Sequence, residues 1–468
     1  MKTVEPSGRD AGWQGLLWQV GALFVLPNLL FYVLARQLFL FREPVNIDYL
    51  MLGCVFPFLG AGLTSVAAGC LAIIDFLESG ASIFHFTDAN VLQSLDDLAL
   101  LWRSAWLPAL GLLGAAALFG LVTHQMLRRS RGSLRSALGF LLLAVMLAGA
   151  DHILAFSDLG GGQSVKRTTS ALADVGFALS RTGLDPEPVP LDSDSTLSEA
   201  TDFLFKEEDS AASHVVVTIV ESWGTYVSEK ADSLQLEAFR APELHERYVV
   251  EIGKVPFAGS TVAAEFRELC RLRYLTEAPD MTRVDQRDCL PARMRRRGYA
   301  TVAIHGFDRR FFDRAEWYPE LEFETTFFQA DLKNKAGMTV ACGRSHFRGL
   351  CDLQVADFVG EYLKDRRGEK VFLYWLTLNG HLPLGRRPAS SSDFACGRVP
   401  VTERHAAICR LARTEDAVLD KLVELALDPE LPRTAFVIVG DHAPPYTTRR
   451  LREQFKQAEV PYVILRPK

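Results

Sequence analysis

The chain has 468 residues, more than one ordinary domain needs, so at least two structural parts are expected. Hydrophobic residues make up 49% of it, concentrated in an apolar N-terminal third that precedes a charged, mixed remainder. A net charge of −6 without a polybasic tract argues against a nucleic-acid partner.

In chain order, residues 1–157 read as a transmembrane region. Four apolar segments reach the ~20 residues that a spanning helix needs: 13–35, 49–77, 106–126 and 137–156. None has the basic flank, short apolar core and small-residue site of a cleaved signal peptide. Arg128, Arg129, Arg131 and Arg135 mark the loop before the fourth segment as cytoplasmic, and the loop with Arg36 and Arg42 is placed on the same side. Four crossings then put both the N-terminus and the C-terminal region outside. The stretch 83–101, with Asp88, Asp96 and Asp97, reads as an interfacial or extracytoplasmic helical loop. Asp151 and His152 fall in the fourth segment, where a solvated helix boundary is the plainer reading than a functional pair.

Residues 158–213 turn to Gly, Ser, Asp and Pro and read as a tether, with a short amphipathic helix over 168–181. From 214 to 468 short apolar β-branched runs alternate with helical periods. Strands are expected at 214–220, 300–304, 370–378, 434–439 and 461–465, and helices at 262–272, 290–297, 355–365 and 403–427. That alternation gives an α/β domain around a largely parallel sheet, with ligands outside the carboxyl ends of the strands. Six cysteines in this region form three sequence-near couples, Cys270/Cys289, Cys342/Cys351 and Cys396/Cys409. Local disulfides in an oxidising compartment fit them better than buried free thiols.

Chemistry-bearing residues fall at those strand ends. Glu221 ends the run VVVTIVE, and Asp441-His442 ends AFVIVGDH. A buried carboxylate needs a cation, and Asp with His can ligate one divalent metal. Between them, AGST leads directly into a helix at Thr261. Ser260 or Thr261 as a simple N-cap accounts for that segment alone. Beside a metal site, Thr261 becomes a candidate nucleophile in the positive field of a helix N-terminus. His305 and His381 also stand at strand ends, suited to proton transfer, and Arg314 is suited to bidentate pairing with phosphate.

The ordered set ESWG, GST-x3-EF, HGFDRRFFDR, LNGHLP and GDHAPP resembles the sulfatase-like phosphotransferases of bacterial envelopes, within the alkaline-phosphatase superfamily. Lipoteichoic acid synthases, osmoregulated-glucan phosphoglycerol transferases and, more distantly, lipid A phosphoethanolamine transferases belong there. The resemblance implies an α-helical transmembrane bundle followed by an alkaline-phosphatase/sulfatase-like α/β domain. It implies Glu221, Thr261, Asp441 and His442 as ligands of one divalent metal, Mn²⁺ in preference to Zn²⁺ or Mg²⁺. Thr261 would be the catalytic nucleophile, with His305, His381 and Arg314 contacting the phosphoryl group and His305 and His381 sharing in catalysis. The donor would be a membrane phospholipid and the acceptor an envelope glycan or lipid. The resemblance further implies a bacterial inner membrane protein with a periplasmic catalytic domain. Phosphoglycerol is favoured over phosphoethanolamine as the transferred group, with a phosphodiesterase or sulfatase-type hydrolase as the alternative. The local sequence GSTVAAE lacks the Cys/Ser-x-Pro-x-Arg context of a formylglycine sulfatase. Phe311-Phe312 replaces a Phe-Trp pair frequent in the family.

Overall fold

The computed structural model describes residues 8–38, 42, 44–81, 110–157, 168–170, 189–190, 199–206, 212–257, 259–273, 281–338, 349–382, 384, 396–446 and 449–468. The chain divides into two compact units, one ending at Gly183 and one containing Leu184–Lys468. The stretch 83–101 and most of the expected helix 168–181 lie outside the described residues. Thr168–Thr169 form a short strand beside Val45–Asn46.

Among the described residues of the first unit, three stretches are long and apolar enough to cross a membrane: Trp13–Ala35, Asp48–Leu77 and Leu110–Leu127. A shorter apolar helix, Leu134–Gly149, belongs to the helix Leu134–Ser157. The second stretch is not one rod. Gly60 breaks it with φ 67° and ψ 177°, a conformation open essentially to glycine alone. Across this break the Tyr49 hydroxyl donates to Asp75 Oδ2 at 3.2 Å, though 26 residues separate them. A continuous helix would hold them about 39 Å apart. Residues 48–59 and 61–81 are therefore the two arms of a helical hairpin.

This reversal corrects the placement of the loops. The basic loop 128–133 sits at the Gly60 end, where Gly132 packs on Phe56 and Pro57 and the Arg131 carbonyl accepts from Gln19 Nε2 at 3.1 Å. Arg42 lies at the other end. Its Nε and Nη2 each reach Asp75 at 2.8 Å, and both side chains are 2% exposed. The loops with Arg42 and with Arg128–Arg135 thus occupy opposite ends of the helical unit, not one side. The Arg42 charge is neutralised inside the protein, so it does not act as a cytoplasmic flank. Gly15 and Gln19 of the first helix also pack at the basic loop, away from the Arg42 end.

The second unit is built on a seven-stranded sheet. Its strands in chain order are β1 (His214–Val220), β2 (Tyr248–Pro256), β3 (Ala300–His305), β4 (Thr325–Phe327), β5 (Val371–Leu376), β6 (Thr434–Gly440) and β7 (Glu459–Pro467). The sheet order is β2-β7-β6-β1-β5-β3-β4. The five strands from β6 to β4 are mutually parallel, and β7 runs antiparallel to both β6 and β2. Strands β1 and β6 are buried throughout because helices cover both faces. Val215, Val217 and Ile219 pack on one side with Val262 and Phe266; Val216 and Val220 pack on the other with Val355 and Leu422. The covering helices include α1 (Thr261–Cys270), α2 (Arg314–Glu320), α3 (Asp352–Lys364) and α4 (Ala406–Leu427). The expected helix 403–427 is interrupted at His405, whose extended backbone caps α4. Part of the expected tether belongs to this unit: Val189–Pro190 pair with Leu272–Arg273, and Phe203, Leu204 and Phe205 are buried. Cys270–Cys289 and Cys396–Cys409 are disulfides. Cys351 is also disulfide-bonded, and Cys342 lies outside the described residues.

With Cys54 and Cys70 replaced, single cysteines introduced in the first helical turn and in the 128–133 loop should react with an impermeant maleimide from one face of the membrane. One introduced beside Arg42 should react from the other. Labelling of all three from a single face would contradict the hairpin.

Candidate active site

Parallel strands β6, β1, β5 and β3 lie side by side, so their carboxyl ends bring four segments together. Glu221 follows β1, Asp441 and His442 follow β6, Thr377–His381 follow β5, and His305 ends β3. Thr261 enters from the first turn of α1. Its hydroxyl donates to Asp441 Oδ2 at 2.9 Å and lies 3.4 Å from both Glu221 Oε2 and His442 Nε2. Atoms of Glu221, Asp441 and His442 stand within 4.8 Å of one another, and all three residues are buried. The four expected metal ligands therefore converge.

The donor set fits a cation. Burial, then the Asp441 carboxylate beside it, pushes the Glu221 carboxyl well above its usual range, against the Ser222 hydroxyl bond that favours the charged form. Two carboxylates in a dry pocket repel unless a positive charge lies between them. Backbone bonds hold the set open. Ser222 N–H and His442 N–H donate to Asp441 Oδ1 at 2.8 and 2.7 Å, and Glu221 N–H donates to Thr377 Oγ1 at 2.9 Å. Ser222 achieves this with φ 61°, a left-handed conformation that costs a non-glycine residue about 1–2 kcal/mol. Gly380 is required at the turn after β5, because a Cβ there would overlap the Glu221 carbonyl.

The second tier of expected residues divides. His305 is buried, with Nδ1 3.1 Å from the Leu376 carbonyl and Nε2 without a partner among the described residues. Burial and then the Arg314 charge depress it to about 3. His381 lies close to Asp441 and His442; its Nδ1 is 2.9 Å from the Leu382 carbonyl, and burial lowers it to about 4. Both imidazoles are therefore neutral near pH 7, with Nδ1 as the donor and Nε2 as the acceptor. Arg314 is engaged along one edge. Its Nε and Nη2 both bind Glu265 Oε2, at 3.0 and 2.8 Å, so the side edge of the guanidinium is engaged by protein.

Three contributors were missed by the sequence reading. Arg267 donates to the Gly440 carbonyl at 2.8 Å and the Asp441 carbonyl at 3.4 Å, tying α1 to the end of β6. Glu268 accepts from Arg267 Nε and, at 3.0 Å, from Thr201. Asp352, at the start of α3, accepts from the N–H groups of Leu378 and Asn379 and so fixes the turn that carries His381. Charged residues spaced along a helix read as a solvated face, yet all ten residues of α1 are buried. An arginine and two glutamates in a segment so short and otherwise apolar were the available signal.

Residues 271–468 match the family model described as Sulfatase. The match covers less than half of the chain and takes in His305, Arg314, His381, Asp441 and His442. The strand of Glu221 and the helix of Thr261 precede the matched span, but β1 lies between β6 and β5 in its sheet. The match agrees with the sulfatase-like part of the resemblance drawn from the sequence. Similar solved structures include the lipoteichoic acid synthase LtaP from Listeria monocytogenes, at 14% identity over 57% of this chain and 71% of that one, TM-score 0.36. The Streptococcus pyogenes phosphoglycerol transferase GacH, in complex with sn-glycerol-1-phosphate, shares 15% identity over 60% of this chain and 77% of that one, TM-score 0.36. The C-terminal periplasmic domain of EcEptC from Escherichia coli, in complex with Zn, shares 14% over 55% and 73%, TM-score 0.35. At these scores they carry no functional inference. No curated protein sequence matches the chain.

Replacing Asp441 by Asn removes a candidate metal ligand and the shared acceptor of Thr261, Ser222 and His442. Bound Mn or Zn, measured by plasma mass spectrometry after gel filtration, should fall from about one per chain to well below it. Full occupancy in the variant would contradict the assignment.

Proposed function

We propose that this chain transfers a phospholipid head group, phosphoglycerol in preference to phosphoethanolamine, to an envelope glycan or lipid through a phospho-threonine intermediate. The observation that supports this reading is the Thr261 hydroxyl, at the head of a buried helix and within 3.4 Å of three metal-type ligands. Glu221, Asp441, His442 and Thr261 would hold one divalent cation, Mn²⁺, Zn²⁺ or Mg²⁺. When bound, it supplies the positive charge that eases loss of the hydroxyl proton and neutralises the phosphoryl oxygens.

The chain's own groups then divide the work. Thr261 Oγ1 attacks phosphorus, and the bond from phosphorus to the diacylglycerol oxygen breaks. The threonine proton ends on that departing oxygen. His381 is the carrier, accepting at Nε2 and then donating, with Nδ1 oriented by the Leu382 carbonyl. The acceptor hydroxyl reverses the sequence: it attacks the phospho-threonine, its proton passes through the same imidazole, and Thr261 is restored. His305 Nε2 accepts a hydrogen bond from the head group, and Arg314 binds phosphoryl oxygens. Phosphoglycerol is preferred because HGFDRRFFDR and GDHAPP resemble that branch of the family. A catalytic domain facing the periplasm agrees with its disulfides.

The test is mass spectrometry of the full-length protein incubated with Mn²⁺ and vesicles of phosphatidylglycerol or phosphatidylethanolamine. A head-group phosphate adduct should appear on Thr261 and vanish in Thr261→Ala, with turnover falling by several orders of magnitude. Ser260→Ala should retain the adduct. An adduct on Ser260, or near-normal transfer by Thr261→Ala, would overturn the mechanism. Head-group release to water without transfer would favour a hydrolase.

A further inference from the structure

Thr261 and Glu265 are four residues apart on α1, so they occupy one face of a single rigid helix. Glu265 is 0% exposed, and its two oxygens carry different loads. Oε2 receives the side edge of the Arg314 guanidinium, Nε at 3.0 Å and Nη2 at 2.8 Å. Oε1 receives the Tyr318 hydroxyl at 2.5 Å and the Tyr374 hydroxyl at 2.9 Å. Tyr318 comes from α2 and Tyr374 from β5, so three elements fix the carboxylate. Arg314 is 1% exposed and Nη1 also donates to the Phe311 carbonyl at 3.3 Å.

We infer that Glu265 is a positioning residue, holding Arg314 by one edge so that the opposite edge, formed by Nη1 and Nη2, meets the phosphoryl group at a set distance from Thr261. A guanidinium carries five N–H donors. Among the described residues Glu265 and Phe311 account for three, and the other two lie on the terminal nitrogens, the pair that grips an anion end-on. The carboxylate also compensates the buried cation. Burial opposes the charged guanidinium, and Glu265 outweighs that cost and keeps Arg314 protonated. Without it a long side chain with several rotamers would lose both its counter-charge and its orientation. The same helix thus presents the attacking hydroxyl and fixes the anion-binding group. This inference rests on the assignment of phosphoryl chemistry to the site.

The experiment uses the full-length Mn²⁺-loaded protein, with wild type, Glu265→Gln, Arg314→Gln and the double variant compared. Two readouts are taken: calorimetric binding of inorganic phosphate, and head-group transfer from phosphatidylglycerol vesicles. Loss of one charged hydrogen-bonded pair should weaken phosphate binding by about 10–100-fold in Glu265→Gln. Metal content should stay at the wild-type level. In the Arg314→Gln background the Glu265 change should add little further loss, because both act through one guanidinium. Unchanged phosphate affinity in Glu265→Gln, or additive losses in the double variant, would overturn the inference. If Glu265→Gln does not fold, Tyr318→Phe with Tyr374→Phe serves instead, since it frees the carboxylate without removing it. A smaller loss of phosphate affinity is then expected, and none would count against the proposal. If wild type binds phosphate but transfers nothing from phospholipid, the proposed function fails while the phosphate comparison still decides the role of Glu265.

Discussion

Two carboxylates forced together out of water set the terms for the rest of the second unit. Glu221 and Asp441 end neighbouring parallel strands, and the register that pairs Gly440 with Val220 delivers them to the same place. Their repulsion in a buried site makes positive charge a structural requirement as much as a catalytic one. Around them the backbone is held by bonds that do not depend on that charge: Ser222 in its left-handed turn, Thr377 on the Glu221 amide, and Arg267 on the carbonyls behind Asp441. The pocket is thus pre-formed, which is what electrostatic catalysis needs.

Helix α1 links that pocket to its surroundings. An ordinary surface helix shows one apolar stripe, but this one is covered on every side. Its three charged residues consequently cannot be solvated and each finds an internal partner. Glu265 reaches α2 and β5, Arg267 reaches β6, and Glu268 reaches Thr201 near the start of the unit. The helix carrying Thr261 is thereby tied to most of the elements that form the site.

How much of this was legible depended on the physical signal each feature leaves. Strands β1 and β6 announce themselves because burial on both faces demands unbroken apolar runs, and Glu221 and Asp441-His442 are conspicuous as the polar residues that end them. Strand β2 was missed because YVVEIGKVP is only half buried and mixes charge into its pattern, as an edge strand does. The three residues of β4 are too few to show a period. The hairpin at Gly60 was missed for another reason. Both arms are apolar, so composition runs straight through the turn, and only a long-range pair such as Tyr49–Asp75 exposes it. For Arg314, residue type suggested phosphate; that a glutamate already holds one edge of it is a fact of tertiary packing.

The disulfide Cys270–Cys289 has a practical consequence. Cys270 is the last residue of α1 and Thr261 the first, so the crosslink moors the tail of the helix whose head bears the Thr261 hydroxyl. Chain made in a reducing cytosol would lack this mooring. Export to an oxidising compartment is therefore the better route to recombinant material.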